Sequence, residues 1–382
     1  MRNIFLHIPQ EGPAIKDQVL ATVVRTEGST PQKAGSSALF GSSGLRHGTV
    51  GGGILEGKVT EIASRSVKAK KSGLYRFTLD NNSPDGEDAL CGGAVTVLID
   101  ADPGRHNSVF QDAGKSITAR IPGVLVTIVS NIYDESVVIK RLWSGTMERD
   151  PLAASIMEVT GPVIEGMLKN PDPHEFRESE FVLPGEETAS MFYFQSVIPP
   201  PHVIIAGAGH IGKALMPIVQ MLGFEITVID NRKEFANPGN LPAADHILVG
   251  DVGKALSMIG KQSDCFIVIV TRGHKDDAGA LRACIGSEAA YIGMIGSKNK
   301  VALMKKEFIS NKWATPEQWN RIFAPIGIDI NSKTVEEIAV SISAQLVMVR
   351  NMARSAAEDH GEPAGIKSRT SPAVERRGKK RK

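Results

Sequence analysis

The chain has 382 residues, 42% of them hydrophobic and 23% charged, with a formal net charge of +2. That length exceeds one ordinary core and predicts two domains, and the composition is that of a globular protein rather than a disordered or fibrous one. The charge is uneven: residues 367–382 hold eight Lys or Arg and one Glu, a net of +7, which leaves the preceding residues at −5. The body therefore offers no basic footprint for a nucleic-acid backbone, and the tail reads as a solvated basic end.

The longest wholly apolar run near Phe266–Val270 is far too short to cross a bilayer, so no membrane partner is expected. The N-terminus lacks the long apolar stretch of a signal peptide. Three cysteines, Cys91, Cys265 and Cys284, argue against a disulfide framework and fit the cytoplasm. Cys265 and Cys284 fall on apolar faces and are expected to be inert core residues.

Taken in chain order, strands are predicted at Val19–Val24 and Ser37–Phe40, the second leading into a hairpin-like Gly-Ser-Ser-Gly turn. Residues 48–57 carry five glycines (GTVGGGILEG) and lead into a helix ending near Lys70. Backbone N–H groups gathered at Gly51, Gly52 and Gly53 would form an anion-binding concavity, or else a close packing turn. Glu56 in the helix's first turn is a ligand contact or a dipole-favoured residue. Strands follow at Leu74–Leu79 and Ala94–Ile99, the latter entered through Cys91, Gly92 and Gly93. A thiol beside two glycines suits a reactive or ligating group, and equally a buried structural cysteine. Residues 105–200 read as β-rich, with strands at Gly123–Val129 and Ser136–Trp143.

Ile198, three successive prolines and His202 make a linker, 198–202, after a first domain spanning 1–197. The rhythm then changes. A buried strand at Val203–Ala206 is followed by GAGHIG (207–212), a helix over Ile211–Leu222 and a strand at Glu225–Ile229. Further strands at Ile247–Gly250, Phe266–Val270 and Tyr291–Ile295 alternate with helices near Lys254–Ile259 and Asp277–Gly286. The expected class is therefore α/β: a Rossmann-type parallel sheet with helices on both faces (203–354), after an N-terminal α+β, β-rich domain. A terminal helix is predicted over Val335–Ala353, capped by Thr334, before a basic tail at 355–382. Its apolar face makes a homodimer the expected assembly.

A GxGxxG turn alone is weak evidence, but here a buried strand precedes it, a helix follows, and Asp230 ends the next strand 23 residues on. In that setting Gly207 permits the tight turn, Gly209 lets a pyrophosphate approach, and Gly212 lets helix and strand pack. Asp230 is placed to accept from a ribose 2′-hydroxyl, which favours NAD or another adenine nucleotide; Arg232 leaves NADP open. His210 either touches a phosphate or lies exposed. Two further loops, Thr271–Asp277 and Gly293–Lys298, follow strand ends and each carry glycine plus a cation, which suits an anionic ligand; Arg272, Gly296 and Ser297 are the candidate contacts. His274 is a candidate acid or base, or an organiser of its loop.

Together these segments resemble the XdhC/CoxI family of xanthine dehydrogenase accessory factors. The resemblance rests on GSTPQKAGSSALF (28–40), GTVGGGILEG and CGG (91–93) in the first domain. In the second it rests on GAGHIG, VIDNR, TRGHKDD, YIGMIGSKNK, APIGID and TVEEIAVSISAQ. It implies an accessory chaperone, rather than a turnover enzyme, that binds the molybdopterin form of molybdenum cofactor. Such a protein supports sulfuration of the cofactor and its insertion into a molybdenum hydroxylase apoenzyme, with a cysteine desulfurase as second partner. Cys91 would then be a soft group near molybdenum or sulfur. Two positions depart from the family pattern: the usual GGC-x-E reads Gly52-Gly53-Ile54-Leu55-Glu56, and the usual Pro-Arg reads Pro31-Gln32. No thiol therefore stands at 54, and one cation is missing. The residues alone also admit an NAD(P)-dependent oxidoreductase or a non-catalytic interaction module.

Overall fold

The computed structural model describes residues 4–79, 92–132, 136–149, 153–183, 185–259 and 263–359. The chain forms two compact units, divided between Pro199 and Pro200. Cys91 and the basic tail beyond Asp359 lie outside the described residues.

Unit 1 carries two antiparallel sheets. The first comprises β1 (Val19–Glu27), β2 (Ser37–Gly41), β3 (Gly44–Gly48), β4 (Gly73–Leu79) and β5 (Gly93–Asp100), with α1 (Gly53–Ala69) between β3 and β4. Its strand order is β3-β2-β1-β5-β4. After α2 (Asn107–Thr118), the second comprises β6 (Gly123–Ser130), β7 (Val138–Trp143), β8 (Phe176–Phe181) and β9 (Ser190–Val197), in the order β7-β6-β9-β8, with α3 (Ala153–Lys169) between β7 and β8. Side-chain alternation along each strand sorts the core into layers. Val19, Ala21 and Val23 of β1 pack with Leu55, Val59 and Ala63 of α1. On the opposite face Leu20 and Leu39 meet Phe110 of α2 and Leu125 of β6. Val124, Val126 and Ile128 of β6 turn instead to Ile156 and Ile164 of α3. The stretch read as β-rich thus also contains two helices, each covering one apolar stripe.

A buried ion pair lies in unit 1. Arg141 on β7 donates through Nη1 to Oδ2 of Asp100, the last residue of β5, and both side chains are almost fully buried. His106, at the entrance to α2, places Nδ1 3.5 Å from the same guanidinium nitrogen. Burial first, and the charge of Arg141 second, push the His106 imidazole down to about 4. In the unfolded chain it titrates near 6.5, so between those values the unfolded state takes up a proton that the folded state refuses. Stability is therefore expected to be full above pH 6.5 and to fall by roughly 3 kcal/mol as the pH drops towards 4. Urea titrations of the parent and of His106→Gln across that range check this; equal slopes for the two proteins would refute it.

Unit 2 is a parallel sheet: β10 (His202–Ala206), β11 (Glu225–Asp230), β12 (His246–Val249), β13 (Cys265–Ile269) and β14 (Tyr291–Met294), in the order β12-β11-β10-β13-β14. Its helices are α4 (His210–Met221), α5 (Val252–Met258), α6 (His274–Cys284), α7 (Lys298–Ser310), α8 (Pro316–Asn320) and α9 (Val335–Asp359). Val203 and Ile205 of β10 face Leu215 and Val219 of α4 and Ile342 and Leu346 of α9. Ile204 and Ala206 face the other way, towards Leu256 of α5, Leu281 of α6 and Phe308 of α7. Both faces of the sheet are covered, as near-continuous apolar strands require. Cys265 and Cys284 are buried in this core, as expected. Thr334 and Glu337 exchange hydrogen bonds at the start of α9, a capping box. The β11–β12 connection (231–245) crosses without a helix. Asn240 of that loop accepts from Lys213 of α4 at 2.7 Å.

Candidate functional site

In the strand order of unit 2, the chain moves outward from β10 in both directions, so the topological switch lies between β10 and β13. Ligands of open parallel sheets bind at the carboxyl ends of the strands flanking such a switch. GAGHIG stands there. Gly207 has φ +121°, and a Cβ on it would lie 2.4 Å from Val270 O, so the turn is pressed against the end of β13. A Cβ at Gly212 would lie 2.1 Å from Gly207 O, the close helix–strand approach anticipated for the third glycine. Around Gly209 a Cβ meets nothing within 4 Å. Gly209 N-caps α4 without a side-chain hydrogen bond, which leaves first-turn N–H groups to face an anion.

Asp230 at the end of β11 is buried, and its carboxylate takes four hydrogen bonds. Ala208 N donates to Oδ2 at 2.8 Å and Arg232 N to Oδ1 at 2.9 Å. The Arg232 guanidinium adds Nε to Oδ1 at 2.9 Å and Nη2 to Oδ2 at 2.8 Å. Burial opposes ionisation of this carboxyl, but Arg232 and the two backbone donors outweigh it and hold the group below the usual carboxylate range. Arg232 Cζ sits over the Phe235 ring, 4.0 Å from its centroid.

Across the switch, Thr271 Oγ1 and Lys300 Nζ both donate to Asp277, which is wholly buried at the start of α6. Burial pushes the Asp277 carboxyl up, and the two donors offset this only in part. Thr271 and Asp277 bound a loop singled out in the sequence, but their pairing with Lys300 is not expected there; its signal is a strand-end Thr six residues before an Asp in the following helix. The neighbouring predicted residues are looser. His274 pairs with Glu307 of α7 at 3.1 Å on the surface, and Arg272 and His210 are exposed. Ser297 caps α7 by accepting from Lys300 N at 3.3 Å. Gly296 packs on the Lys300 stem.

Unit 1 gathers three of its motifs around one loop. A Cβ on Gly51 would lie 2.7 Å from Pro31 Cγ, and one on Gly93 would lie 2.3 Å from Ser29 O. Ser29 also bridges to Gly92 in parallel fashion. The 28–32 loop thus touches both glycine turns. Gly52 (φ +67°) and Gly53 (φ +54°) lead into α1, and a Cβ on either meets nothing within 4 Å. Glu56 turns back on its own loop, where Oε1 accepts from Thr49 Oγ1 at 2.6 Å and from Val50 N at 3.3 Å. Thr30 and Pro31 also line a recess of about 520 Å³, together with Gln32, Lys33, His174 and Gln195. That volume is in the range of small-molecule sites. Among the described residues, no group of three or more His, Cys, Asp or Glu stands close enough to hold a metal ion. Nor is any helix among them long and apolar enough to cross a membrane.

The fold and these turns define a two-unit α/β protein with a Rossmann-type parallel sheet in its second unit. Residues 203–346 match the XdhC Rossmann domain and residues 16–78 match the XdhC and CoxI family, together more than half of the chain. The chain belongs to the XdhC/CoxI family. It is 26% identical to a Bacillus subtilis protein described as a probable xanthine dehydrogenase subunit, over 88% of this chain and 94% of that protein. It is 23% identical to an uncharacterised Escherichia coli protein, YqeB, over 87% of this chain but only 44% of YqeB, so it spans under half of that relative. A crystal structure described as a xanthine dehydrogenase from Bacillus halodurans shares the fold, with TM-score 0.69 and 22% identity over 92% of this chain and 96% of that one.

Proposed function

We propose that the protein is an accessory factor in the maturation of a xanthine dehydrogenase-type molybdenum hydroxylase, and that it binds molybdenum cofactor in its molybdopterin form. The observation that carries this reading is the convergence of Gly51 and Gly92–Gly93 on the 28–32 loop, beside bare N–H groups at the start of α1 and a recess of ligand size. The residues suit the group. A molybdopterin brings its own dithiolene sulfurs to the metal, so no protein cage of His and carboxylates is required, and its phosphate needs backbone donors of the kind Gly52 and Gly53 present. Gly52, Gly53, Gly92 and Gly93 would hold it, with Cys91 as the neighbouring soft side chain. When bound, the cofactor would supply the molybdenum centre on which such hydroxylases depend, and sulfur for it would have to come from a separate donor. The protein's part is to hold the anion, exclude water and pass the group on. A cysteine desulfurase and the apoenzyme are the partners this role requires.

Cofactor released from a donor enzyme is expected to bind the purified chain stoichiometrically. Cys91→Ala is expected to weaken retention about tenfold, a loss of about 1.4 kcal/mol, with unchanged thermal melting. Equal retention by the variant removes the thiol role, and no binding by the parent removes the reading as a whole. A second reading, an NAD(P)-dependent oxidoreductase, is favoured by the intact turn at Gly207–Gly212; it requires substrate turnover with bound nicotinamide nucleotide.

A further inference from the structure

The position that most often reads an adenosine ribose in this fold is closed to it here. A carboxylate offers about four lone-pair sites, and the four donors on Asp230 fill them. A ribose diol approaching the end of β11 would bring two hydroxyl donors to a group with nothing left to accept them. The guanidinium differs: of its five N–H groups, the carboxylate takes only two, through Nε and Nη2. It is also held in place, clamped by Asp230 on one edge and laid over Phe235. About a quarter of the Arg232 side chain is exposed. An acceptor-only dianion can take the guanidinium N–H groups that Asp230 leaves, because a planar, pre-oriented guanidinium matches phosphate oxygens, although the Glu234 and Asp276 carboxylates also act on Arg232.

We infer that the unit 2 crevice selects adenine nucleotides carrying a phosphate on the ribose 2′-oxygen, with Arg232 as the reader and Asp230 as the residue that positions it. The inference rests on the reading of unit 2 as a nucleotide-binding sheet, and it reverses the preference that an acid at 230 would signal by itself. Asp230 acts through Arg232 and does not touch the nucleotide.

Calorimetric titration of the full chain with NADP, NAD, 2′,5′-ADP and 5′-AMP tests it. Each 2′-phosphorylated ligand is expected to bind at least about tenfold more tightly than its partner, with affinity that falls more steeply as salt rises. In Arg232→Ala the preference is expected to vanish or invert, because two acceptor sites on Asp230 are released to the diol. Arg232→Lys, which keeps the charge but loses the fork, is expected to fall between. NAD binding as tightly as NADP, or more so, overturns the inference while leaving the nucleotide reading intact. Failure of all four ligands to bind the parent overturns both. The comparison within the parent needs no variant, so it stands even if Arg232→Ala melts early.

Discussion

Gly207→Ala is expected to cost unit 2 about 4 kcal/mol, most of the stability of a marginal domain. Two effects add. The residue holds φ +121°, where an L side chain is strained by about 1–3 kcal/mol, and its Cβ would lie 2.4 Å from a backbone oxygen at the end of β13. Relieving that overlap means parting β10 from β13, at a further cost of about 1–3 kcal/mol. Gly212→Ala meets a comparable overlap, 2.1 Å from Gly207 O, but lies within α4, where alanine recovers about 1 kcal/mol of helix propensity. Its net cost is expected to be smaller, about 2 kcal/mol. Gly209→Ala is the control. With φ −74° and open space around it, it is expected to change stability by less than about 0.5 kcal/mol. It should nonetheless impair nucleotide binding, because the added methyl occupies the approach left to a pyrophosphate. Urea denaturation of the three variants, followed by calorimetry on those that fold, separates the roles. Equal stability of Gly207→Ala and Gly209→Ala would contradict the contact between the turn and β13.

Asp100→Ala is expected to destabilise unit 1 by about 3–5 kcal/mol, since it leaves the buried Arg141 charge without its carboxylate partner. Asp100 also accepts from Asp102 N at 2.9 Å, so the variant additionally loosens the turn that leads towards α2. Arg141→Met keeps much of the volume near Phe110 but strands the Asp100 carboxylate instead, so its cost is expected to be of similar size. The discriminating protein is the double variant. If the penalty comes from an uncompensated buried charge, removing both partners should leave a deficit smaller than the sum of the single effects by at least about 2 kcal/mol. Additive losses would mean that the pair contributes packing alone.

Much of the fold is legible in the sequence because its causes are local. The strand, glycine turn, helix and acid of 203–230 follow one another within a single βαβ unit, and α9 begins with the cap that Thr334 and Glu337 announce. Elements escape such reading where local chemistry runs against the outcome. Helix α3 carries Thr160, Gly161 and Pro162 mid-length, a string that reads as a turn, yet Ile156 and Ile164 pack it onto β6. Helix α7 buries Met304 and Phe308 within a lysine-rich stretch, and α2 rests on a similarly thin stripe of Phe110, Ala113 and Ile117. In such cases a sheet already present supplies the stability that propensity does not. The convergence of Ser29 with Gly92 and of Pro31 with Gly51 is equally invisible, since it joins segments far apart along the chain.

The backbone of the unit 2 crevice is written into the order of its residues. Glycine alone tolerates the conformation at 207 and the approach at 212, so the letters imply the turn. Which chemistry that turn faces depends instead on packing in three dimensions. An aspartate ending the second strand predicts a free acceptor, but lone pairs are filled by whatever donors surround them in space. Here Ala208 N and Arg232 saturate Asp230, and the guanidinium sits over the Phe235 ring. A residue's identity is local, but its remaining hydrogen-bonding capacity is a property of the assembled fold.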